Sequence, residues 1–298
     1  MRRRFVTLDV FTDKRFAGNP LAVVIDGEDL DTAVMQTIAR EFNLSETVFV
    51  QPPEDKGHRA KLRIFTPARE LPFAGHPTVG TAVLLARLDG GQAVRDFVLE
   101  EKVGLVPCRV QPSADGGRAT FDIPRASAKE AETRDTSAMA AAVGLLAADV
   151  GLESFPTERW SAGNPFTFLP VKGLDAIGRV QIDVAAFNKA FGGGDHAAAF
   201  IFCREASERD HDFHARMFAP VMGVHEDPAT GSAVAAFSGY LAAHGGYKDG
   251  EHRLRVEQGY EMGRPSVIEL TLKIAGGKLT GASIGGGAVI MMDGTIEA

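Results

Sequence analysis

Cysteine is scarce in this chain of 298 residues, which contains only Cys108 and Cys203. Two cysteines do not make a disulfide framework, and neither stands at a spacing typical of a metal site. Both lie in runs that are typical of strands, so we expect each to be a buried packing residue. The sequence is therefore not that of a disulfide-stabilised protein or of a cysteine-ligated metal protein.

Long apolar runs and an excess of positive charge are absent as well. No segment has the length of a membrane span, and no apolar run of signal-sequence length follows the basic start Met1–Arg4. The formal net charge of -7 argues against nucleic acid as the main partner. The sequence therefore predicts a cytoplasmic protein with neither a membrane nor a nucleic-acid partner.

Motifs for common cofactors and nucleophiles are also missing. There is no Gly-x-Gly-x-x-Gly after a strand, no Walker loop and no Gly-x-Ser-x-Gly. The glycine runs 192–194 and 285–287 lack the lysine or the helix that phosphate binding requires. His211 and His214 are three residues apart in a predicted strand, which would place them on opposite faces. We therefore predict no metal and no cofactor.

One segment of the sequence has a similar second copy. Arg63–Ala82 reads RIFTPARELPFAGHPTVGTA and Arg216–Ala233 reads RMFAPVMGVHEDPATGSA. The tetrapeptide Ala-Gly-Asn-Pro also occurs twice, at 17–20 and 162–165, in the same order. These ordered matches favour two homologous halves, for which the chain is long enough. The alternative is that glycine, proline and threonine recur at any helix start.

The arrangement of strands and helices predicts an α+β fold in which the sheet of each half wraps one long apolar helix. The glycine-rich stretch 111–118 is the best candidate for a linker, which would give halves of 1–116 and 117–282. Helices are predicted at about 32–42, 77–88, 135–148, 183–191 and 228–244.

Three residues stand where acid–base chemistry is possible. Glu46 is a carboxylate at a helix-to-strand corner beside the apolar run Thr47–Val50, although most such glutamates are surface or capping groups. His76 lies at a helix start, where it could exchange protons near neutral pH or serve only as a turn residue. Asp227 precedes the second long helix, where an aspartate is commonly an N-cap.

The repeat places Asp227 and the Gly75-His76 pair in equivalent positions of the two halves. If the halves face each other, these residues would meet across a cleft with two helix N-termini. The unpaired N–H groups at such helix starts are suited to hold a carboxylate.

Five motifs form a highly specific combination: Ala17-Gly18-Asn19-Pro20, Ser45-Glu46-Thr47, Phe73-Ala74-Gly75-His76-Pro77-Thr78 with Gly80, Glu226-Asp227-Pro228-Ala229-Thr230-Gly231-Ser232-Ala233, and Gln258-Gly259 with Arg264-Pro265. With these motifs the chain resembles the PhzF-like phenazine-biosynthesis isomerase family over nearly its whole length. The resemblance implies the diaminopimelate-epimerase-like fold, with two similar α+β halves and the active site between them. It also implies that the last strand, near Gly287–Met292, returns with about 283–298 to the first half.

The same resemblance implies a homodimer that uses no cofactor or metal. Glu46 would be the catalytic acid–base group, with His76 and Asp227 in supporting roles. The substrate-binding positions at the helix starts would be Gly75, Pro77, Thr78, Thr230, Gly231 and Ser232. Related racemases use one cysteine at each helix start, but this chain has Gly75 and Asp227 there, which disfavours a two-thiol mechanism.

The leading expectation is a cofactor-independent isomerase that moves a carbon-bound proton on a small substrate bearing a carboxylate. Two alternatives stay open: a non-catalytic metabolite-binding protein on the same scaffold, and a racemase, epimerase or dehydratase of a small amino acid. The motifs indicate the machinery and leave the physiological substrate and pathway undetermined.

Overall fold

The computed structural model describes residues 1–130, 135–192 and 197–298, which contain many strands and few helices. The first elements are β1 (Arg2–Val10), β2 (Asn19–Val24), α1 (Thr32–Phe42), β3 (Glu46–Gln51), β4 (Ala60–Phe65), β5 (Glu70–Leu71), α2 (Gly75–Leu88), β6 (Arg95–Glu101), β7 (Gly104–Pro112) and β8 (Gly116–Asp122). The later elements are β9 (Ala128–Lys129), α3 (Thr136–Ala142), β10 (Glu158–Ser161), β11 (Pro165–Pro170), α4 (Leu174–Gly178), α5 (Val184–Phe191), β12 (Ala199–Cys203), β13 (Phe213–Ala219), β14 (Val224–Asp227), α6 (Gly231–His244), β15 (Gly250–Gln258), β16 (Ser266–Ala275) and β17 (Lys278–Glu297). Short 3-10 helices span Ala147–Asp149 and Pro220–Met222.

Contacts divide the chain into two compact units. Unit 1 consists of Met1–Pro124 together with Ile284–Ala298, and unit 2 is Arg125–Ser283. The boundary lies later than the predicted 116/117 junction, because residues 111–118 are not a linker. They are the paired ends of β7 and β8 and the tight turn between them, in which Ser113 N–H donates to the carbonyl of Gly116 at 3.0 Å. A glycine-rich hairpin turn has the composition of a linker, which explains the error.

The strands of unit 1 close into a barrel. β1 pairs antiparallel with β2, β2 parallel with β3, β3 antiparallel with β4, and β4 parallel with β6, while β6, β7 and β8 follow as an antiparallel meander. β17 pairs with both β8 and β1, which closes the circle. Its register sets Ala288 opposite Val10 and Met292 opposite Thr7. The residues predicted to return to the first half therefore do pair with its first strand.

α2 is the core of unit 1. Every residue from Gly75 to Ala86 is buried, and the helix contacts β1, β2, β3, β7 and β8. A helix that is apolar all round is typical of an element enclosed on all sides. Close approach to the barrel wall requires a glycine at position 80, where a Cβ would lie 2.6 Å from Cδ2 of Leu21 and 2.7 Å from Cγ2 of Val10.

Unit 2 repeats the strand pairing of unit 1. β10 pairs antiparallel with β11, β11 parallel with β12, β12 antiparallel with β13, β13 parallel with β15, and β15 antiparallel with β16. The short strand β14 lies on β13 as β5 lies on β4. α6 occupies the place of α2 in this order and is buried from Ala233 to Leu241. The predicted α+β fold, with one long helix wrapped by strands in each half, is confirmed.

Two partly buried ion pairs follow the same repeat. The guanidinium of Arg63 donates to both oxygens of Glu70 at 2.8 and 2.9 Å. The guanidinium of Arg216 donates to both oxygens of Glu226 at 2.7 and 2.9 Å. Each arginine leaves the strand that precedes the turn into the long helix, so the pair fixes that turn in both units.

Two predicted helices have different bounds. The helix predicted at about 135–148 is shorter, because Gly144 adopts a left-handed φ of 75° and ends α3 before a separate 3-10 helix begins. The helix predicted at about 228–244 begins at Gly231. Its first predicted residues are not helical, because Thr230 is the N-cap of α6, with a non-helical φ of -115° and ψ of 84°.

Candidate active site

Glu46 is the first residue of β3, at the corner where α1 turns into the strand. α1 ends at Phe42, and Asn43 takes a left-handed φ of 51° as its C-cap, which redirects the chain. β3 then pairs in parallel with β2, with Glu46 opposite Leu21. The side chain of Glu46 is only 16% exposed, so the carboxylate is not a surface group.

His76 is the second residue of α2 and contacts this carboxylate. Its Nε2 atom lies 3.3 Å from Oε2 of Glu46 and, among the described residues, lacks an aligned hydrogen-bond partner. Burial lowers the pKa of His76 to about 3, so the imidazole is neutral at pH 7. The packing around α2 excludes the solvent that would stabilise a charged ring, so burial disfavours the protonated imidazole near neutral pH.

The start of α2 has no side chain that caps its backbone. Ala74 is the N-cap residue, with φ of -152°, and makes no side-chain capping bond. Gly75 and His76 therefore contribute the first N–H groups of the helix, while Pro77 has none. Thr78 is fully buried, and its backbone N–H and its hydroxyl both contact the carbonyl of Ala74.

Asp227 lies in unit 2 as the last residue of β14 and is 6% exposed. The alternative that Asp227 is only the N-cap of the following helix does not hold, because Thr230 is the N-cap of α6. Asp227 instead accepts a hydrogen bond from the Thr230 hydroxyl at 2.6 Å. Thr230 is thus occupied in holding the carboxylate of Asp227.

The first turn of α6 contains Gly231 and the partly exposed Ser232, and no side chain caps it. The segment before it is held by Gln258. The Gln258 amide oxygen accepts from Thr230 N–H at 3.1 Å, and its Nε2 donates to the carbonyl of Asp227 at 2.6 Å. Both units therefore present an uncapped helix start beside an acidic residue.

Sequence reasoning missed the roles of Gln258 and of Glu101, which stand at the ends of matching strands β15 and β6. Each contacts the segment that leads into the long helix of its own unit: Gln258 contacts Thr230, and Glu101 contacts Thr78. The signal that could have found them is the matching pair of polar residues that ends each strand, Glu100-Glu101 in β6 and Glu257-Gln258 in β15.

Among the described residues, no group of three or more histidine, cysteine, aspartate or glutamate side chains is arranged to hold a metal ion. A carboxylate and an imidazole are side chains of the kind that take part in acid–base chemistry. The fold, with two strand-wrapped helices, is of the diaminopimelate-epimerase-like class.

Comparison with known proteins gives the family. Residues 8–294 match the family described as phenazine biosynthesis-like protein. An uncharacterized isomerase of Mesorhizobium japonicum is 46% identical over 302 aligned positions, covering 99% of this chain and 98% of the relative. The trans-2,3-dihydro-3-hydroxyanthranilate isomerase of Pseudomonas fluorescens is 34% identical, covering 98% of both chains.

The crystal structure of a Bacillus anthracis phenazine biosynthesis protein of the PhzF family superposes with a TM-score of 0.90 at 27% identity, covering 100% of both chains. The chain therefore belongs to the PhzF-type phenazine biosynthesis-like family and is an isomerase.

In the part of the chain that the structure describes, no helix combines the length and the apolar character needed to cross a membrane. Three expectations stay predictions: that Glu46 and His76 share one cleft with Asp227 and Ser232, that the chain binds a carboxylate, and that it forms a homodimer in the cytoplasm.

Proposed function

We propose that this protein is a cofactor-independent isomerase that moves a proton between two carbon atoms of a small substrate bearing a carboxylate. The observation that carries the proposal is the contact between the mostly buried Glu46 and the neutral His76, 3.3 Å apart. An isomerisation changes neither the composition nor the oxidation level of the substrate. One carboxylate that takes a proton and gives it back therefore balances the reaction.

Glu46 is the group that moves the proton. Its carboxylate removes a proton from a carbon next to an unsaturated or carbonyl system, and the carboxylic acid so formed returns the proton to another carbon. His76 can donate one hydrogen bond to a substrate heteroatom or accept one from it, because its ring is neutral. Asp227, which accepts from Thr230, assists proton movement on the substrate heteroatoms.

The uncapped helix starts bind the substrate carboxylate. Backbone N–H groups at Gly75 and His76 in unit 1, and at Gly231 and Ser232 in unit 2, carry the partial positive charge of a helix N-terminus. The relative from Pseudomonas fluorescens is named for trans-2,3-dihydro-3-hydroxyanthranilate, an unsaturated cyclic carboxylic acid. That name supports an unsaturated carboxylic acid as the substrate type here.

The experiment that tests the proposal is replacement of Glu46 by glutamine, followed by turnover in D2O. The starting panel contains dihydro-hydroxyanthranilate and related unsaturated amino and hydroxy acids. The wild-type protein is expected to place deuterium on carbon in at least one member of the panel. Glu46→Gln is expected to fold normally and to lose roughly 100- to 10,000-fold in rate, because an amide cannot take the proton.

Glu41→Gln is the matched control, since Glu41 is an exposed glutamate of α1 five residues earlier. It should keep the wild-type rate. Full turnover by the Glu46→Gln protein would remove Glu46 from the mechanism. Binding of a panel member without any deuterium incorporation would instead favour the non-catalytic metabolite-binding protein.

A further inference from the structure

Glu101, the last residue of β6, is a buried carboxyl group without an ion-pair partner among the described residues. It is 8% exposed, and its Oε1 atom lies 2.7 Å from the hydroxyl oxygen of Thr78. Its Oε2 atom is buried and has no hydrogen-bond partner among the described residues. The neighbouring charges are already paired: Lys102 with Glu70, and Glu100 with His58.

The two short contacts of the Thr78 hydroxyl indicate which groups carry a proton. Its hydroxyl oxygen lies 2.8 Å from the carbonyl oxygen of Ala74 and 2.7 Å from Oε1 of Glu101. A hydroxyl has a single proton to donate, and a carbonyl oxygen has none. Both contacts are hydrogen bonds only if Thr78 donates to Ala74 while Glu101 donates to Thr78. The geometry therefore calls for a protonated Glu101.

The repeat supports a neutral side chain at this position. Glu100 accepts from the N–H groups of the 54–55 loop and contacts His58, and Glu257 does the same with the 207–208 loop and His211. The residue after Glu100 is Glu101, and the residue after Glu257 is Gln258. Unit 2 thus has a permanently neutral amide where unit 1 has a carboxyl group of nearly the same shape.

The surroundings of Glu101 favour the protonated form. Burial raises the pKa of Glu101 to about 8, and this outweighs the lowering that a hydrogen bond donated by Thr78 to an ionised Glu101 would cause. Glu101 lines an open cavity of about 1040 Å³ in unit 1, through which its proton can exchange with solvent. Cys108 on β7 lies close enough to Glu101 to interact with its charge. The titratable and charged groups that line the cavity with Glu101 are Glu54, Asp55, Lys56, His58, Lys61, Arg63, Glu70, Glu100 and Lys102.

We propose that Glu101 is a positioning residue that keeps its proton in the folded protein and, by donating it to Thr78, fixes the first turn of α2 on which His76 stands. Ionisation of Glu101 would draw the Thr78 hydroxyl away from Ala74, the residue that begins the turn. The protonation of Glu101 is independent of the proposed isomerase activity, whereas its consequence for His76 rests on that function.

The protonation is tested with Glu101→Gln, which preserves shape and neutrality. Infrared difference spectra of wild-type against Glu101→Gln protein are expected to show one protonated carboxyl band at pH 6 that disappears by pH 10. A spectrum with only carboxylate bands at pH 6 overturns the proposal.

Stability provides a second readout of the same proton. Between about pH 5 and pH 8, folded wild-type protein keeps a proton that the unfolded chain has released. The stability of the folded state relative to the unfolded chain therefore falls as pH rises. The ratio of folded to unfolded wild-type protein, relative to Glu101→Gln, is expected to fall up to about tenfold per pH unit. Amide hydrogen exchange of the α2 peptides measures this folded-to-unfolded ratio, with both proteins compared at equal pH. Parallel curves for the two proteins overturn the proposal.

The positioning role is tested by turnover once a substrate is found with the wild-type protein. Near neutral pH, Glu101→Gln is expected to keep kcat within about threefold, whereas Glu101→Ala loses at least tenfold in kcat with little change in KM. Wild-type kcat should decline above about pH 8, and the decline should be absent in Glu101→Gln. Equal loss in both variants, or a decline that persists in Glu101→Gln, contradicts the role of Glu101. Absence of any turnover by wild-type protein contradicts the proposed function and leaves the spectroscopic result standing.

Discussion

Replacement of Glu257 by glutamine tests the buried charge network of unit 2. Glu257 is fully buried and accepts hydrogen bonds from Nδ1 of His214 at 2.6 Å, Nδ1 of His211 at 2.7 Å and Ser207 N–H at 2.6 Å. The other ring nitrogen of His214 lies 3.0 Å from Glu261. Both ring nitrogens face carboxylates, so His214 is an imidazolium held between two negative charges.

The size of the effect follows from the two pKa values. Burial alone would raise the pKa of Glu257, but the hydrogen bonds from His214, Ser207 and His211 lower it to about 2. Burial alone would lower the pKa of His214, but Glu257 and Glu261 raise it to about 9. Each pKa differs from the ordinary value of its group by about 2.5 pH units, which corresponds to roughly 3 kcal/mol. The contact between His214 and Glu257 shifts both pKa values, so its free energy is counted once. Removing one partner of a buried pair typically costs about 3–5 kcal/mol.

Tryptophan fluorescence measures this loss in unit 2 alone. Trp160 is the only tryptophan of the chain, is 9% exposed and packs edge-on against Tyr240 in unit 2. In urea unfolding at pH 7, the Glu257→Gln protein should show a lower midpoint with a similar slope. Glu100→Gln is the matched control, because it removes the equivalent carboxylate from unit 1 and should leave the Trp160 transition much less affected.

The pH dependence gives the sign of each contribution. Because the Glu257 pKa is lowered on folding, its contribution is present above about pH 4.5 and is lost as pH falls toward 2. Because the His214 pKa is raised, its contribution is present below about pH 6.5 and is lost as pH rises through 9. A Glu257→Gln protein that unfolds at the wild-type urea concentration at pH 7 would refute this account.

Two further substitutions test packing and ion-pair geometry. Gly80→Ala is expected to lower the thermal midpoint of unit 1, because overpacking a full core costs about 1–3 kcal/mol. Gly178→Ala, where an added Cβ meets nothing within 4 Å, should have little effect. Equal midpoints for both variants would show that α2 has room for a side chain at position 80. Arg216→Lys should lower the thermal stability of the protein more than Arg63→Lys does, as measured by differential scanning calorimetry. Lysine cannot replace the paired donors of either arginine, and of the two only Arg216 also binds two buried carbonyl oxygens. The reverse order would contradict this ranking.

Some structural features were predictable because they depend on local patterns. The helix predicted at about 32–42 follows two aspartates that could cap it, Asp29 and Asp31, and Asp31 is the one that caps α1 by accepting from Val34 N–H at 2.8 Å. His211 and His214 were not predictable in the same way. The rule that residues three apart in a strand face opposite sides does not apply to them, because β13 begins at Phe213 and His211 lies in the loop before it. Both rings therefore reach Glu257.

The sequence by itself determined the repeated strand–turn–helix order, the two long apolar helices and the positions of Glu46 and His76 at element boundaries. These features follow from periodicity, helix-start residues and the recurrence of one phrase, all of which are local. Only the tertiary structure decided that His76 and Glu101 are buried, which favours their uncharged forms, and that Asp227 is held by Thr230. Those states depend on burial and on partners far along the chain, because the cost of a charge is set by the solvent and dipoles that the fold leaves around it.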